Sequence, residues 1–126
     1  MKIVKLPSGR GKTTEMLVWL LEGHSKGIDR ALIVTTQRIR TQLSKRLLEL
    51  YDEAGQLQYI NNAANRIYTA DTARKLSSKY LSKCEIGIDD ADLILAFLLG
   101  LHRAPSIISV TDVPEGTEDP RTILQV

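Results

Sequence analysis

Short apolar runs alternate along this chain with longer segments in which apolar positions recur every three or four residues. Runs of four or five apolar residues are typical of strands, and longer periodic segments are typical of helices. The predicted strands are Lys2–Leu6, Ala31–Thr35, Arg66–Thr69, Glu85–Ile88 and Ser106–Val110. Strands that alternate with helices predict an α/β fold of three layers, with a mainly parallel five-stranded sheet in the middle.

The helices are predicted in the segments between these strands. They are expected at Thr13–Gly23, Gln37–Tyr51, Asp71–Leu81 and Leu93–Leu101. Glycine frequently ends a helix, so Gly23 is expected to stop the first one. The second has apolar residues at helical spacing, and basic residues occupy much of its remaining surface. These basic residues are Arg38, Arg40, Lys45 and Arg46.

The remaining carboxyl-terminal segment has a different composition. Thr111–Arg121 is rich in Pro, Gly, Glu and Asp, which predicts an acidic loop or tail. Thr122–Val126 has the composition of a sixth strand at the sheet edge. The chain has 126 residues, which is the usual size of one domain, so residues 1–126 are expected to form a single domain.

The composition is that of an ordinary globular protein, with 43% apolar and 25% charged residues. No apolar run reaches the ~18 residues that a transmembrane helix needs, so no membrane association is expected. Cys84 is the one cysteine and has no internal disulfide partner, which favours a reducing cytoplasm. The chain opens with MKIVKL, which predicts no signal peptide.

The net charge of +2 is unevenly distributed. Residues 1–50 contain ten Lys and Arg against four Asp and Glu, and residues 51–126 contain seven against eleven. A basic half is one mark of a surface that binds a polyanion such as nucleic acid. A solvated basic helix face explains the same charges equally well.

A glycine-rich segment before the first helix has the chemistry of a phosphate-binding loop. Gly9 and Gly11 allow backbone N–H groups to approach phosphates, Lys12 can reach the β- and γ-phosphates, and the Thr13 hydroxyl can bind Mg²⁺. The helix that follows turns its positive dipole end to the same phosphates. The strict Walker pattern needs glycine where this chain has Leu6. The candidate nucleotide-binding residues are Pro7, Ser8, Gly9, Arg10, Gly11, Lys12, Thr13 and Thr14.

A pair of acidic residues follows the predicted strand at Glu85–Ile88. Asp89 is the candidate Mg²⁺ ligand together with Thr13, and Asp90 is the candidate base that orients the attacking water. Lys12, Asp89 and Asp90 are therefore the candidate catalytic residues. An alternative is that Asp89, Asp90 and Asp92 cap the apolar helix that follows, and one residue could play both roles.

With these motifs in place, the chain resembles the first RecA-like domain of superfamily one and two helicases and related DNA translocases. Residues 6–13 (LPSGRGKT) are similar to their first motif, and residues 89–92 (DDAD) are similar to the Asp-Glu-Ala-Asp box with Asp in place of Glu. Shorter likenesses lie at residues 35–42, 68–72 and 108–111. The resemblance implies nucleic-acid contacts at Thr36, Arg38, Arg40 and Thr69.

The same resemblance carries further expectations. Helicases take an arginine finger from a second domain, so here a homo-oligomer or another protein is expected to supply it. Compact one-domain ATPases of this kind are familiar among bacteriophage proteins, which would place the protein in the host cytoplasm.

Three functions are therefore open. The first is Mg²⁺-dependent binding and hydrolysis of a nucleoside triphosphate coupled to DNA or RNA. ATP is favoured because no Asn-Lys-x-Asp guanine reader is present. Turnover is expected to be slow, because Asp90 is shorter than the usual glutamate, or to depend on the partner that supplies the arginine. The second is a small-molecule or nucleotide kinase, although the acidic loop at Thr111–Arg121 would make a poor lid. The third is a non-catalytic switch or interaction module.

Overall fold

Three of the apolar runs pair as strands of one parallel sheet. A computed structural model describes residues 3–4, 11–54, 63–76 and 78–109. The helices and strands in these residues are α1 (Lys12–Ser25), β1 (Arg30–Val34), α2 (Gln37–Ala54), β2 (Ile67–Thr69), α3 (Ala70–Lys75), α4 (Ser78–Ser82), β3 (Glu85–Ile88) and α5 (Ala91–Leu99).

The strand order is β2-β1-β3, so the central strand pairs with a parallel neighbour on each side. Val34 lies opposite Thr69 on one side of β1, and Ile33 lies opposite Ile88 on the other. Because all three strands are parallel, their carboxyl ends meet at one edge of the sheet. Open α/β sheets bind ligands at this edge.

The hydrophobic core lies between one face of the sheet and the two long helices. Leu32 and Val34 of β1 and Ile67 of β2 pack with leucines of α1 and α2. These leucines are Leu17, Leu20, Leu43 and Leu47, all of them buried. The apolar stripe predicted for the second helix is therefore the part of α2 that enters the core.

The prediction of a five-stranded RecA-like sheet is wrong, because the sheet in the described residues has three strands. Ile3 and Val4, the described residues of the predicted first strand, are not in a strand, and neither are residues 106–109. The side chain of Ile107 is 88% exposed, which is the opposite of a buried strand. A β-branched run favours extended backbone only weakly, and a strand forms where a neighbouring ladder accepts it. Thr111–Arg121 and Thr122–Val126 lie outside the described residues.

Two predicted helix boundaries are also corrected. α1 continues past Gly23 to Ser25, and Gly23 is buried inside the helix rather than at its end. The single helix predicted at Asp71–Leu81 is two shorter helices, because the backbone of Leu76 is extended with φ −73° and ψ 154°. Within the described ranges, no helix has both the length and the apolar content needed to cross a bilayer.

Candidate functional site

The described part of the predicted phosphate loop is the start of α1. Gly11 precedes the helix with φ 87°, a backbone conformation that glycine adopts at little cost. The N-cap residue Gly11 has no side chain with which to cap α1, and the N–H groups of a helix's first turn can bind an anion. Lys12, Thr13 and Thr14 are half-buried in that turn. Pro7, Ser8, Gly9 and Arg10 lie outside the described residues.

Lys12 forms an ion pair with Asp90, which lies directly beyond the end of β3. The ammonium group donates a hydrogen bond to Oδ1 of Asp90, and each side chain keeps about a quarter of its surface exposed. This hydrogen bond is the main cause that raises the pKa of Lys12, and burial opposes it. Lys12 is therefore positively charged at neutral pH and is held at the edge of the sheet.

The backbone of Asp90 has an uncommon conformation. It has φ 53° and ψ 49°, the only positive φ among the described residues other than glycine. Asp90 occupies the N-cap position of α5, yet its side chain makes no capping hydrogen bond. Asp90 therefore does not cap α5 through a side-chain hydrogen bond. Left-handed backbone is unfavourable for most residues with a Cβ, and Asp is one of the few that adopts it singly.

Asp89 is the buried member of the acidic pair, with 3% of its surface exposed. Its backbone N–H donates to the carbonyl of Ile33 on β1 at 2.9 Å, which extends the β1–β3 pairing by one residue. Burial is the main cause that raises the pKa of the Asp89 carboxyl, and the charge of Asp90 adds to it. Lys12 and a hydrogen bond with the Thr13 side chain act in the opposite direction. The sheet edge thus brings Asp89 together with both key residues of α1.

The residues at this edge fit a magnesium ion that is bound together with a phosphate. Oδ1 of Asp89 is buried and has no hydrogen-bond partner in the described part of the chain. Carboxylate and hydroxyl oxygens such as those of Asp89 and Thr13 are suitable Mg²⁺ ligands. In the described residues, no group of three or more His, Cys, Asp or Glu could hold a metal. The remaining ligands would therefore come from phosphate and water, as is usual for Mg²⁺.

Two of the four predicted nucleic-acid residues have structural partners instead. Nε of Arg40 donates to the carbonyl of Ile67 on β2 at 2.7 Å, which joins α2 to the sheet. Thr69 is 8% exposed, and its hydroxyl accepts the N–H of Thr72 at 3.1 Å as the N-cap of α3. Both side chains therefore hold the fold together at these positions.

The other two predicted nucleic-acid residues lie on the surface. Thr36 is exposed, and its hydroxyl accepts the N–H of Ile39 at 3.3 Å near the start of α2. Arg38 is exposed and has no ion pair or hydrogen bond with a described residue. Thr36 follows β1, Thr69 ends β2 and Asp89 follows β3, so parallel pairing places all three positions at one edge of the sheet.

The sequence did not indicate two features of this region. The pairing of Lys12 with Asp90 spans 78 residues, and no local pattern predicts it. Arg30, at the start of β1, contacts both α1 and β3 and was not singled out. A signal for the second feature was available: Gly87 stands in the middle of a strand, where glycine often marks a close approach of another group.

Comparison with known proteins gives no assignment, because no family model, no curated protein and no solved structure matches the chain.

Proposed function

We propose that this protein binds a nucleoside triphosphate, ATP, with Mg²⁺ and hydrolyses it in a reaction coupled to nucleic acid. The observation that carries the proposal is the meeting of two distant segments. Lys12 and Thr13 begin α1, and Asp89 and Asp90 follow β3 at the sheet edge where α/β proteins bind ligands. A lysine, a hydroxyl and two carboxylates at a helix N-terminus are the groups that phosphoryl transfer uses.

Each side chain has a separate role in this proposal. Lys12 exchanges its partner Asp90 for the β- and γ-phosphates, whose negative charge replaces that of the carboxylate. Thr13 and Asp89 would hold Mg²⁺, which would offset negative charge on the phosphate oxygens. Asp90, released from Lys12, accepts a hydrogen bond from the attacking water and orients it towards the γ-phosphate.

A nucleic-acid surface is proposed at the start of α2. Thr36 and Arg38 are exposed beside the edge that carries the nucleotide site. An exposed arginine can neutralise a backbone phosphate without reading sequence. Arg40 and Thr69 are left out of this surface because both have structural partners.

We also propose that the site is completed by a second copy of the chain, which supplies an arginine. The helix that follows Asp90 is buried only at Ile94 and Ala96. The name α5 apolar surface is used here for eight apolar side chains of α5, of β3 and of the residues after α5, each at least 39% exposed. They are Ile86, Ile88, Leu93, Leu95, Phe97, Leu98, Leu99 and Leu101. Asp92 is the one charged residue from 91 to 101, so this surface lacks the charges that would select a charged partner.

The test is steady-state phosphate release from Mg-ATP, with and without single- or double-stranded DNA, together with nucleotide binding by calorimetry. The control is Lys12→Ala. The expected result is DNA-stimulated release in the wild type and loss of both binding and release in the control. Binding without turnover under every condition would overturn hydrolysis and favour the switch. No Mg-ATP binding by the wild type would overturn the proposed function as a whole.

A further inference from the structure

Arg30 joins the two elements that carry the proposed nucleotide site. Its guanidinium lies 4.7 Å from the ring centroid of Trp19 on α1, and NH1 donates to the Trp19 carbonyl at 2.7 Å. Its Nε lies 3.4 Å from the Glu85 carboxylate on β3. Arg30 and Glu85 are also opposite each other in the β1–β3 ladder. The Arg30 side chain is 12% exposed, so this contact is an internal one.

Two glycines make room for this arrangement. A Cβ on Gly23 of α1 would lie 2.2 Å from Cδ of Arg30, and a Cβ on Gly87 of β3 would lie 2.7 Å from the Trp19 ring. Neither glycine has a positive φ, so the backbone conformation does not require them. Glycine lowers the stability of a helix or strand interior. Close packing of Arg30 and Trp19 is therefore the physical reason for glycine at both positions.

Trp19 and Gly87 lie on the same two elements as the proposed site, whereas Arg30 and Glu85 stand at the amino ends of β1 and β3. Trp19 is seven residues, or about two helical turns, beyond Lys12. Gly87 is two residues before Asp89. Contact between the Trp19 ring and Gly87 therefore links α1, which begins at Lys12 and Thr13, to β3, which ends beside Asp89.

Resting on the proposed function, we propose that Arg30 and Trp19 are positioning residues for the Mg²⁺ site shared by Thr13 and Asp89. Arg30 holds the indole against Gly87 by stacking on one face and by binding the helix carbonyl. A lysine cannot replace it, because an ammonium group lacks the planar fork that does both at once. Glu85 contributes little, since its side chain is 53% exposed and the ion pair is screened by water.

The test compares nucleotide affinity with and without Mg²⁺ by calorimetry. The ratio of the two affinities isolates the Mg²⁺ contribution, and a loss of folded protein lowers both affinities alike. The variants are Arg30→Lys, Gly87→Ala and the double variant Gly87→Ala with Trp19→Phe. The matched control is Glu85→Gln, which removes the exposed ion pair and leaves the stacking intact.

Arg30→Lys and Gly87→Ala are expected to reduce the Mg²⁺-dependent gain in ATP affinity by about tenfold, the lower end of the effect of disturbing groups that support metal ligands. ATP affinity without Mg²⁺ should change little. The double variant should recover part of the loss because the smaller ring relieves the clash with the new Cβ, and Glu85→Gln should match the wild type. If Arg30→Lys and Gly87→Ala show the same Mg²⁺-dependent gain in ATP affinity as the wild type, the positioning role is overturned and the proposed function stays in place. Absence of nucleotide binding in the wild type would overturn both.

Discussion

Lys12 at the start of α1 and Asp90 at the start of α5 form an ion pair across 78 residues of sequence. The Asp90 side chain does not cap the helix it begins, because it accepts a hydrogen bond from Lys12 instead. In our proposal, phosphate competes with Asp90 for the Lys12 ammonium group.

The substitution Asp90→Asn separates the two proposed roles of this residue. Asparagine tolerates left-handed backbone, so the fold should remain intact. Lys12 loses its charged partner, so ATP affinity should rise several-fold. Turnover should fall by about 100-fold or more, because an amide is a poor base for the attacking water. Calorimetry and phosphate release measure the two effects.

Asp92→Asn is the matched control for this substitution. Asp92 is exposed in the first turn of α5, and its charge also raises the pKa of Lys12. In our proposal Asp92 contacts neither the nucleotide nor the attacking water, so ATP affinity and turnover should stay close to wild type. Full turnover in Asp90→Asn would rule out Asp90 as the water-orienting group.

The substitution Asp89→Asn is expected to stabilise the nucleotide-free protein near neutral pH. The pKa of Asp89 is raised in the folded state from its ordinary value of 3.8. The folded protein then binds more protons than the unfolded chain between these two pKa values, so the contribution of Asp89 to stability falls as pH rises through that window. Asparagine carries no charge at any pH, so it removes the pH dependence that Asp89 adds to the unfolding free energy.

Urea denaturation at pH about 4 and about 7 measures this effect. The gain in unfolding free energy of the variant over wild type should be larger at the higher pH. The same variant should lose the Mg²⁺-dependent part of ATP binding. An equal difference at the two pH values would show that burial does not raise the pKa of Asp89.

Arg38 and Arg40 provide a matched pair on α2. Arg40→Ala removes a charged hydrogen bond to the carbonyl of Ile67 and should lower the unfolding free energy by about 1.5–3 kcal/mol. Arg38→Ala removes an exposed side chain and should change it by less than about 0.5 kcal/mol.

DNA affinity should instead fall more in Arg38→Ala than in Arg40→Ala. Arg38→Ala should weaken binding for all sequences and reduce the slope of log affinity against log salt by about one. Fluorescence anisotropy with labelled DNA over a range of salt concentrations measures this slope. An unchanged slope in Arg38→Ala would remove the start of α2 from the proposed nucleic-acid surface.

The α5 apolar surface predicts self-association. Phe97 and Leu99 are 66% and 69% exposed, so lysine at either position should dissociate the assembly without disturbing the core. Light scattering after size-exclusion chromatography at several concentrations should show a dimer or larger assembly in the wild type and a monomer in Phe97→Lys and Leu99→Lys. Leu48→Lys, on α2 and 49% exposed, is the control. A wild type that stays monomeric at every concentration would overturn the second-copy proposal.

Local pattern was enough to locate β1, α2 and β3 to within a few residues. Their apolar residues have the spacing of the structure they form, and the core confirms the positions of Leu43 and Leu47. Prediction failed where pairing or packing decided the outcome. Residues 106–109 have a strand-like composition but are not part of the sheet. Gly23 is a residue type that often ends helices, yet here it lies within α1 and packs against Arg30.

The amino-acid sequence was sufficient to place β1, α2 and β3 and to suggest which residues are suited to phosphate chemistry. Periodicity and residue type are local properties, and Gly11, Lys12, Thr13 and Asp89 show them without reference to the rest of the chain. The tertiary structure alone decided that Asp90 holds Lys12, that Arg40 holds β2, and that Arg30 joins α1 to β3. Such contacts depend on the path of the chain between distant residues, and that path is set by the order and direction of the paired strands.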